Sequence, residues 1–152
     1  MRIAIRPGKD GRRGSVILEF AVASTVLMLM TFGVIDFARV FYTANVVDSA
    51  ARAGTQYGMQ SQAHIDFSGM QTAAYNDAGY AAGNSAGFSA TATQFCTCSI
   101  GGASVDCNSS CGSSALEKYI QVSTSMPFST LLSIPGLPQT INQTATSTIR
   151  VQ

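Results

Sequence analysis

One carboxylate, Glu19, lies inside a long apolar run near the N-terminus. The run extends from Ser15 to Ile35, and Glu19 is its single charged side chain. A carboxylate placed in lipid costs roughly 2.5–3.5 kcal/mol on insertion scales, so an acid in this position predicts a function. We interpret Glu19 as an assembly device rather than as a catalytic group.

The residue pair Gly14-Ser15 adds a second chemical possibility, which is cleavage of the chain. A cut between them would leave the α-amine of Ser15 at the start of a helix, with Glu19 four residues later on the same face. In a packed bundle, the carboxylate of one copy and the amine of another would neutralise each other away from water. A copy that failed to pair would leave a charge in lipid, so the pair favours the correct axial register. Gly14 would offer a protease an extended, unhindered backbone.

Four cysteines are crowded into one short stretch: Cys96, Cys98, Cys107 and Cys111. An even count outside the cytoplasm predicts two disulfides. We favour the nested pairing, Cys98 with Cys107 and Cys96 with Cys111, because it closes a hairpin; the other two pairings stay open. A zinc site is the alternative, but the C-x-C…C-x3-C spacing departs from the usual one and exported thiols tend to oxidise. We expect no metal.

Catalytic motifs are absent from the sequence. It contains no phosphate-binding glycine loop, no H-E-x-x-H and no G-x-S-x-G. The single histidine, His64, has no visible nucleophile partner and is expected at the surface or in a cap. We therefore expect no enzymatic activity, no catalytic residue and no cofactor.

The element that must position Glu19 is a membrane helix, since about 20 residues of α-helix span the hydrocarbon of a bilayer. Residues 1–14 carry five basic side chains against one acidic one, whereas residues 15–152 carry four against seven. Basic residues stay on the cytoplasmic side, so the N-terminus is predicted inside and the C-terminus outside. The basic stretch is short and lacks interleaved aromatics, which argues against nucleic-acid binding. The low charged fraction, 11% against about 25% in a typical chain, suits an exported surface.

The helix is predicted to continue beyond the membrane to about Tyr57 and to pack on a soluble domain. Asp48 and Arg52 form a favourable i,i+4 pair, and Gly54 and Gly58 give stop signals near the end. An apolar stripe at steps of three and four residues predicts the packing face: Phe37, Val40, Phe41, Ala44, Val47, Ala51 and Gly54.

The rest of the chain predicts a second helix and a small antiparallel sheet. The helix is expected over Ala63–Ala82, starting near Asp66, and Gly83–Gly87 is a turn-rich connector. Alternating polar and apolar residues predict three strands and a fourth short piece: Phe88–Ser99, Leu116–Met126, Thr140–Val151 and Ser104–Asp106. Three prolines predict a loop with one helical turn at Ser129–Leu132: Pro127, Pro135 and Pro138. The predicted fold class is α+β.

The N-terminal residues resemble the prepilin signature: a basic leader, Gly14, four residues, then Glu19-Phe20 and a continuous apolar helix. Together with G-V-I-D-F-A-R-V-F-Y-T-A-N-V-V-D-S-A-A-R-A-G-T-Q-Y-G, they resemble the TadE-like pseudopilins of the Tad (Flp) pilus. Within that superfamily Ser15, rather than an aromatic or Met, fits a pseudopilin better than a major pilin. The resemblance covers Gly14 to Gly58.

This resemblance implies a pilin-like chain in three parts: a cytoplasmic leader (1–14), a transmembrane helix (15–35) and an extracytoplasmic domain (36–152) that is helical over 36–82 and β-rich over 88–152. It implies cleavage after Gly14 by a prepilin peptidase, with Glu19 and Phe20 as the recognition and register pair. Implied partners are other pilins, the inner-membrane assembly platform and lipid. The implied role is assembly or priming of a Tad-type pilus in surface attachment, from a single pass in a bacterial inner membrane.

Alternative interpretations stay open at this point. The chain would be an uncleaved signal anchor carrying an extracytoplasmic binding domain if Gly14 and Glu19 were accidental. A secretory signal peptide is disfavoured, because the A-x-A match at Ala21–Ala23 precedes most of the apolar run instead of following it. An unrecognised exported enzyme is the least favoured.

Overall fold

The structure is a computed structural model that describes residues 11–60, 65–79, 87–112, 114–131, 136 and 138–151. The chain divides into two compact units, Met1–Ala38 and Arg39–Gln152. The described elements are α1 (Gly11–Gln60), α2 (Phe67–Ala78), β1 (Ser89–Thr97), β2 (Ser104–Val105), β3 (Glu117–Ser129) and β4 (Thr140–Arg150). Two helices and an antiparallel four-stranded sheet confirm the predicted α+β fold.

Helix α1 is longer at both ends than the predicted helix from Ser15 to Tyr57. It begins at Gly11 and ends at Gln60, so Gly54 and Gly58 lie inside it. Both glycines are buried. A Cβ added at Gly54 would lie 2.9 Å from the carbonyl oxygen of Met70. These glycines therefore allow α1 to approach its neighbours closely, rather than ending the helix.

Helix α2 starts directly after Asp66, which caps it. The carboxylate Oδ1 of Asp66 accepts a hydrogen bond from the backbone N–H of Gly69 at 2.9 Å, as an N-cap side chain does. This bond, followed by one from the Ser68 hydroxyl, lowers the pKa of the Asp66 carboxyl below its ordinary value of 3.8. Because the pKa is lowered, the stabilisation from the cap is present above that value and is lost as the pH falls through the lowered pKa. The described helix is shorter than the predicted one, parts of which lie outside the described residues.

The four strands form one antiparallel sheet in the order β2-β1-β3-β4. Strand β3 pairs with β1 from Ser125 to Glu117 and with β4 from Tyr119 to Ser129. The predicted strands are all present, with ends moved by at most three residues. The alternation of polar and apolar residues located them because one face of the sheet is buried and the other is not.

Strand β3 continues through Pro127, where the sequence predicted a loop, and that prediction was wrong. Pro127 pairs with Asn142 of β4, but the pairing of β3 with β1 already ends at Ser125. A proline has no N–H to donate, so a strand tolerates it where one side lacks a partner. Its ring packs instead on Gly87, where a side chain would collide with it. The predicted helical turn at Ser129–Leu132 is also wrong at Ser129, which is the last residue of β3.

The core of the second unit lies between the helices and one face of the sheet. Its buried cluster comprises Val47, Ala50, Met70, Ala74, Ala78, Phe88, Ala90, Ile120, Val122 and Met126. Hydrogen bonds also join α1 to the sheet across this layer: the Thr124 hydroxyl donates to the Val47 carbonyl at 2.7 Å, and the hydroxyls of Thr55 and Ser147 lie 2.9 Å apart. The C-terminal part of α1 is therefore fixed to β3 and β4 by hydrogen bonds as well as by apolar packing.

Two disulfides are present, as predicted from the cysteine count, but the favoured nested pairing was wrong. Cys96 is bonded to Cys107 and Cys98 to Cys111, so the two loops interleave. The register of β2 explains this: Cys96 pairs with Val105, and Cys107, two residues further on, is its diagonal neighbour on the same face. The Cα atoms of Cys96 and Cys107 are 5.1 Å apart. Cys98, just beyond the end of β1, is left to bond Cys111.

Candidate functional site

The N-terminal part of α1 presents an uncovered apolar surface. Its large apolar side chains from Val16 to Ile35 are 42–73% exposed. Within the part of the chain that the structure describes, α1 is the one helix long and apolar enough to cross a membrane, with a mean hydropathy of 2.0 over its apolar window and none of that window buried. The helix is therefore compatible with a single-pass membrane anchor.

The hydroxyl groups of Ser24, Thr25 and Thr31 in this apolar segment are bonded within the helix itself. Ser24 and Thr25 both donate to the carbonyl oxygen of Ala21, at 2.9 and 2.8 Å, and Thr31 donates to that of Leu27 at 2.8 Å. Such bonds satisfy a hydroxyl where no water is present. These three side chains consequently need no polar partner from outside the helix.

Glu19 differs from these hydroxyl residues. It is exposed, and it has no hydrogen bond or ion pair with any side chain that the structure describes. Ser15 lies four residues before it, one turn away on the same side of the helix, and the neighbouring Phe20 is 73% exposed. Glu19 therefore places an exposed carboxylate within a largely apolar surface.

Gly14 is helical in the structure, because α1 begins at Gly11. The predicted extended backbone at this glycine is thus not what the structure has. A Cβ added at Gly14 would meet no atom within 4 Å, and the same holds at Gly33. By contrast, Gly54 and Gly58 are surrounded by core atoms. The packing of the described chain therefore explains the second pair of glycines and leaves the first pair without a structural requirement.

The predicted packing stripe is distributed unevenly along α1. Val47 and Ala51 are buried, and two other members of the stripe, Val40 and Ala44, are half-buried. At about 100° per residue, these four side chains lie within about 60° of one another around the helix. They form part of the face that packs on the rest of the second unit.

The two aromatic members of the stripe are more exposed than these four residues. Phe37 and Phe41 are 65% and 55% exposed. Phe37 precedes the second unit, which begins at Arg39, and Phe41 lies roughly 120° around the helix from Val47. The packing role of these two aromatic residues stays a prediction.

The apolar pattern also missed several residues of the buried face. Thr43, Ala50 and Thr55 are buried on α1, and Thr124 is buried on β3 with its hydroxyl on Val47. The pattern could not find the threonines, because it counts them as polar. Their signal is positional, since Thr43 lies one helical turn before Val47 and Thr55 lies two turns after it.

A polar groove lies where α1 and α2 meet, lined by Asn45, Asp48, Ser49, Arg52, Ala53, Gln56 and Asp77. The predicted Asp48–Arg52 ion pair is present at 2.9 Å. The Ser49 hydroxyl donates to Asp77 at 2.5 Å. Both carboxylates are thus already partnered, and we assign the groove no ligand. His64 lies outside the described residues, so its surface or cap position stays a prediction.

A second cluster sits on the outer face of the sheet, away from the helices. The Tyr119 hydroxyl donates to Glu117 at 2.7 Å, Arg150 pairs with Glu117 at 3.2 Å, and the Tyr119 ring stacks on Phe95 at 5.2 Å. The hydrogen bond to Glu117 is the largest cause that raises the pKa of Tyr119 above its ordinary value of 10.0. The phenol is therefore kept neutral, which suits a structural contact better than a nucleophile.

Comparison with known proteins identifies the N-terminal region. Residues 14–56 match the model of a family described as TadE-like protein. Residues 14–56 are therefore similar to this family, and we refer to them as the TadE-like segment. No curated protein and no solved structure matches the chain.

The TadE-like segment includes Gly14, Glu19 and the whole predicted stripe, and it ends before α2 and the sheet. The match confirms the resemblance drawn from the sequence for this segment. The sheet and its two disulfides lie outside the matched residues.

Proposed function

We propose that the protein is a minor pilin or pseudopilin that is cleaved after Gly14 and takes part in assembling or priming a Tad-type pilus used in surface attachment. The observation that carries this proposal is the TadE-like match over residues 14–56, on a helix whose exposed apolar surface contains one acid. The protein acts as a structural subunit rather than as an enzyme. Its partners are a prepilin peptidase, other pilins of the same machinery, the inner-membrane assembly platform and lipid.

Cleavage would supply a partner for Glu19. The new α-amine of Ser15 would be a cation at the start of the helix. Glu19 would then be the fifth residue of the mature chain, close to the positive end of the helix dipole. A neighbouring subunit in register would bring amine and carboxylate together, whereas a subunit out of register would leave both charges in lipid. The leader would stay in the cytoplasm and the sheet-bearing unit would lie outside.

Gly14 fits the role of a peptidase recognition residue, because nothing in the described packing of the chain requires it. The bond after it lies within α1, so a peptidase would need to open the helix locally to reach it.

The first experiment compares Gly14→Ala with Gly33→Ala, two substitutions that both enter open space along α1. The chain is expressed with its cognate peptidase and its mass is measured. We expect the wild type and Gly33→Ala to yield residues 15–152 and Gly14→Ala to keep its leader. A full-length wild type, or equal processing of both variants, would contradict the proposal.

The second experiment replaces Glu19 by Gln, which keeps the size of the side chain and removes its charge. We expect insertion and processing to continue while the amount of the protein recovered in isolated pili falls. Thr31→Val is the control, because it removes a hydroxyl that is bonded to its own helix. Unchanged incorporation of the Glu19 variant would contradict the proposed role of Glu19 in setting the axial register.

One observation favours a second function, that of an uncleaved anchor carrying an extracytoplasmic binding domain. Gly14 is part of a helix that starts three residues earlier, which is not the extended backbone expected of a cleavage site. An intact N-terminus on protein purified from cells that bear pili would support this alternative and would exclude the cleaved pseudopilin.

A further inference from the structure

Strand β4 forms a free edge of the sheet. It pairs with β3 on one side, and no strand lies on its other side among the described residues. The backbone hydrogen bonds outside the regular elements do not reach that side either, within the described part of the chain. Alternate N–H and C=O groups of β4 therefore point outward, as they do in any antiparallel strand with one neighbour.

This edge lacks the features that usually prevent pairing. Natural edge strands are often short, bulged, or interrupted by proline or lysine. Strand β4 has 11 residues, contains no proline, and carries one charge, Arg150, at its end. Its register with β3 runs without a bulge from Thr140 to Arg150. Ile141, near its start, is 40% exposed.

The sequence of β4 is nearly symmetric about its centre, Ala145. Ile141 and Ile149 are equidistant from it, and so are Thr144 and Thr146. The remaining equidistant pairs between the two isoleucines are polar in both members: Asn142 with Thr148 and Gln143 with Ser147. A strand of this kind matches itself when it is reversed, which is what a two-fold interface between identical chains requires.

We propose that β4 binds the β4 strand of a second copy of this chain, antiparallel, about a two-fold axis at Ala145. The pairing sets Ile141 of each copy against Ile149 of the other. The two Arg150 side chains lie at opposite ends of the interface, so they do not repel each other. This contact depends neither on cleavage nor on the apolar half of α1, and it would survive if the proposed pilus function failed.

Cysteine pairs on the exposed outer face of β4 test the register. Full-length chains with different tags are mixed in detergent and oxidised gently, and heterodimers are counted on non-reducing gels. Each chain carries one new cysteine. In the proposed pairing, Thr144→Cys on one chain lies opposite Thr146→Cys on the other, and Asn142→Cys lies opposite Thr148→Cys. Asn142→Cys with Thr144→Cys is offset by four residues, about 13 Å along the strand. We expect matched pairs to cross-link on the order of tenfold more than the offset pair.

A charge substitution tests the same contact without new thiols. The double substitution of Thr144→Lys and Thr146→Lys in one chain places four lysines around the axis of the dimer, where like charges oppose pairing. Thr91→Lys with Thr93→Lys is the control, because these threonines are also exposed but lie on β1, which β3 separates from β4. We expect the amides of β4 to exchange hydrogen more slowly as protein concentration rises, and only the β4 variant to lose this protection. Equal cross-linking of matched and offset pairs, or exchange independent of concentration, would overturn the proposal.

Discussion

Removing the two disulfides one at a time tests the interleaved pairing and measures how much each bond contributes to the free energy of unfolding. The two variants are Cys96→Ala with Cys107→Ala, and Cys98→Ala with Cys111→Ala. The bonds close loops with sequence separations of 11 and 13, for which the chain-entropy relation gives about 3 kcal/mol each, with a difference of only ~0.1 kcal/mol. Because the loops overlap, the remaining bond already restrains the same segment, and about 3 kcal/mol is an upper bound for the entropic cost of either removal.

The burial of the cysteines determines which removal lowers the free energy of unfolding more. Cys96 is fully buried, at 0% exposure, whereas Cys98 is half-buried. Replacing Cys96 by alanine would leave a small cavity, which adds roughly 1 kcal/mol. We therefore expect the variant without the Cys96–Cys107 bond to have the lower free energy of unfolding, although its loop is the shorter one.

Thermal unfolding of the full-length protein in detergent, followed by circular dichroism, measures this order. A loss of about 3 kcal/mol corresponds to a fall in Tm of roughly 10–15 °C for a unit of this size. A non-reducing peptide map of the wild type reports the pairing directly. Greater destabilisation on removal of the Cys98–Cys111 bond would contradict the predicted order, and a peptide that joins Cys96 to Cys111 would contradict the interleaved pairing.

Two further predictions concern the second unit. Gly54→Ala should lower the free energy of unfolding, because the new methyl would lie 2.9 Å from the Met70 carbonyl oxygen. Overpacking costs roughly 1–3 kcal/mol, against a gain of about 1 kcal/mol in helix propensity. Gly33→Ala is the control, and a Gly54 variant that is more stable in chemical denaturation would show that the core accommodates the methyl group. Glu117→Gln should lower the pKa of Tyr119 toward 10.0, since it removes the main cause of the increase. The stabilisation tied to that raised pKa is present below the ordinary value and lost as the pH rises through the raised value. Alkaline titration followed by phenolate absorbance should therefore start at lower pH in the variant. An unchanged curve would show that Glu117 does not raise the pKa of Tyr119.

The sequence was sufficient to predict those elements whose pattern depends only on residues close together in the chain. The apolar run and the i,i+4 relation of Ser15 and Glu19 depend only on helix geometry, and α1 is continuous where the periodicity predicted it. The strands followed from alternation, because apolar residues such as Ile120, Val122 and Met126 alternate with polar ones along β3. The candidate site could be found for the same reason, since a lone acid in an apolar run is visible without tertiary structure.

Features that depend on a distant partner could not be predicted in this way. The disulfide pairing is set by the register of β2, which is only two residues long. Pro127 is tolerated because β1 stops short of it, which is a property of β1. The burial of Thr124 reflects its hydrogen bond to the Val47 carbonyl, an acceptor 77 residues away in the sequence. In each case the decisive atom belongs to another element.

The internally bonded hydroxyls of Ser24, Thr25 and Thr31 have a consequence for the azimuth of the apolar segment in a bundle. Since these groups are satisfied within the helix, spinning the segment about its long axis would expose none of them as an unpaired donor. Glu19 is then the side chain whose direction distinguishes one rotation from another. Exchanging Leu18 and Glu19 would move the acid by about 100° around the axis. If Glu19 pairs with the amine of a neighbouring subunit as proposed, we expect the segment to turn by a similar angle to keep that contact.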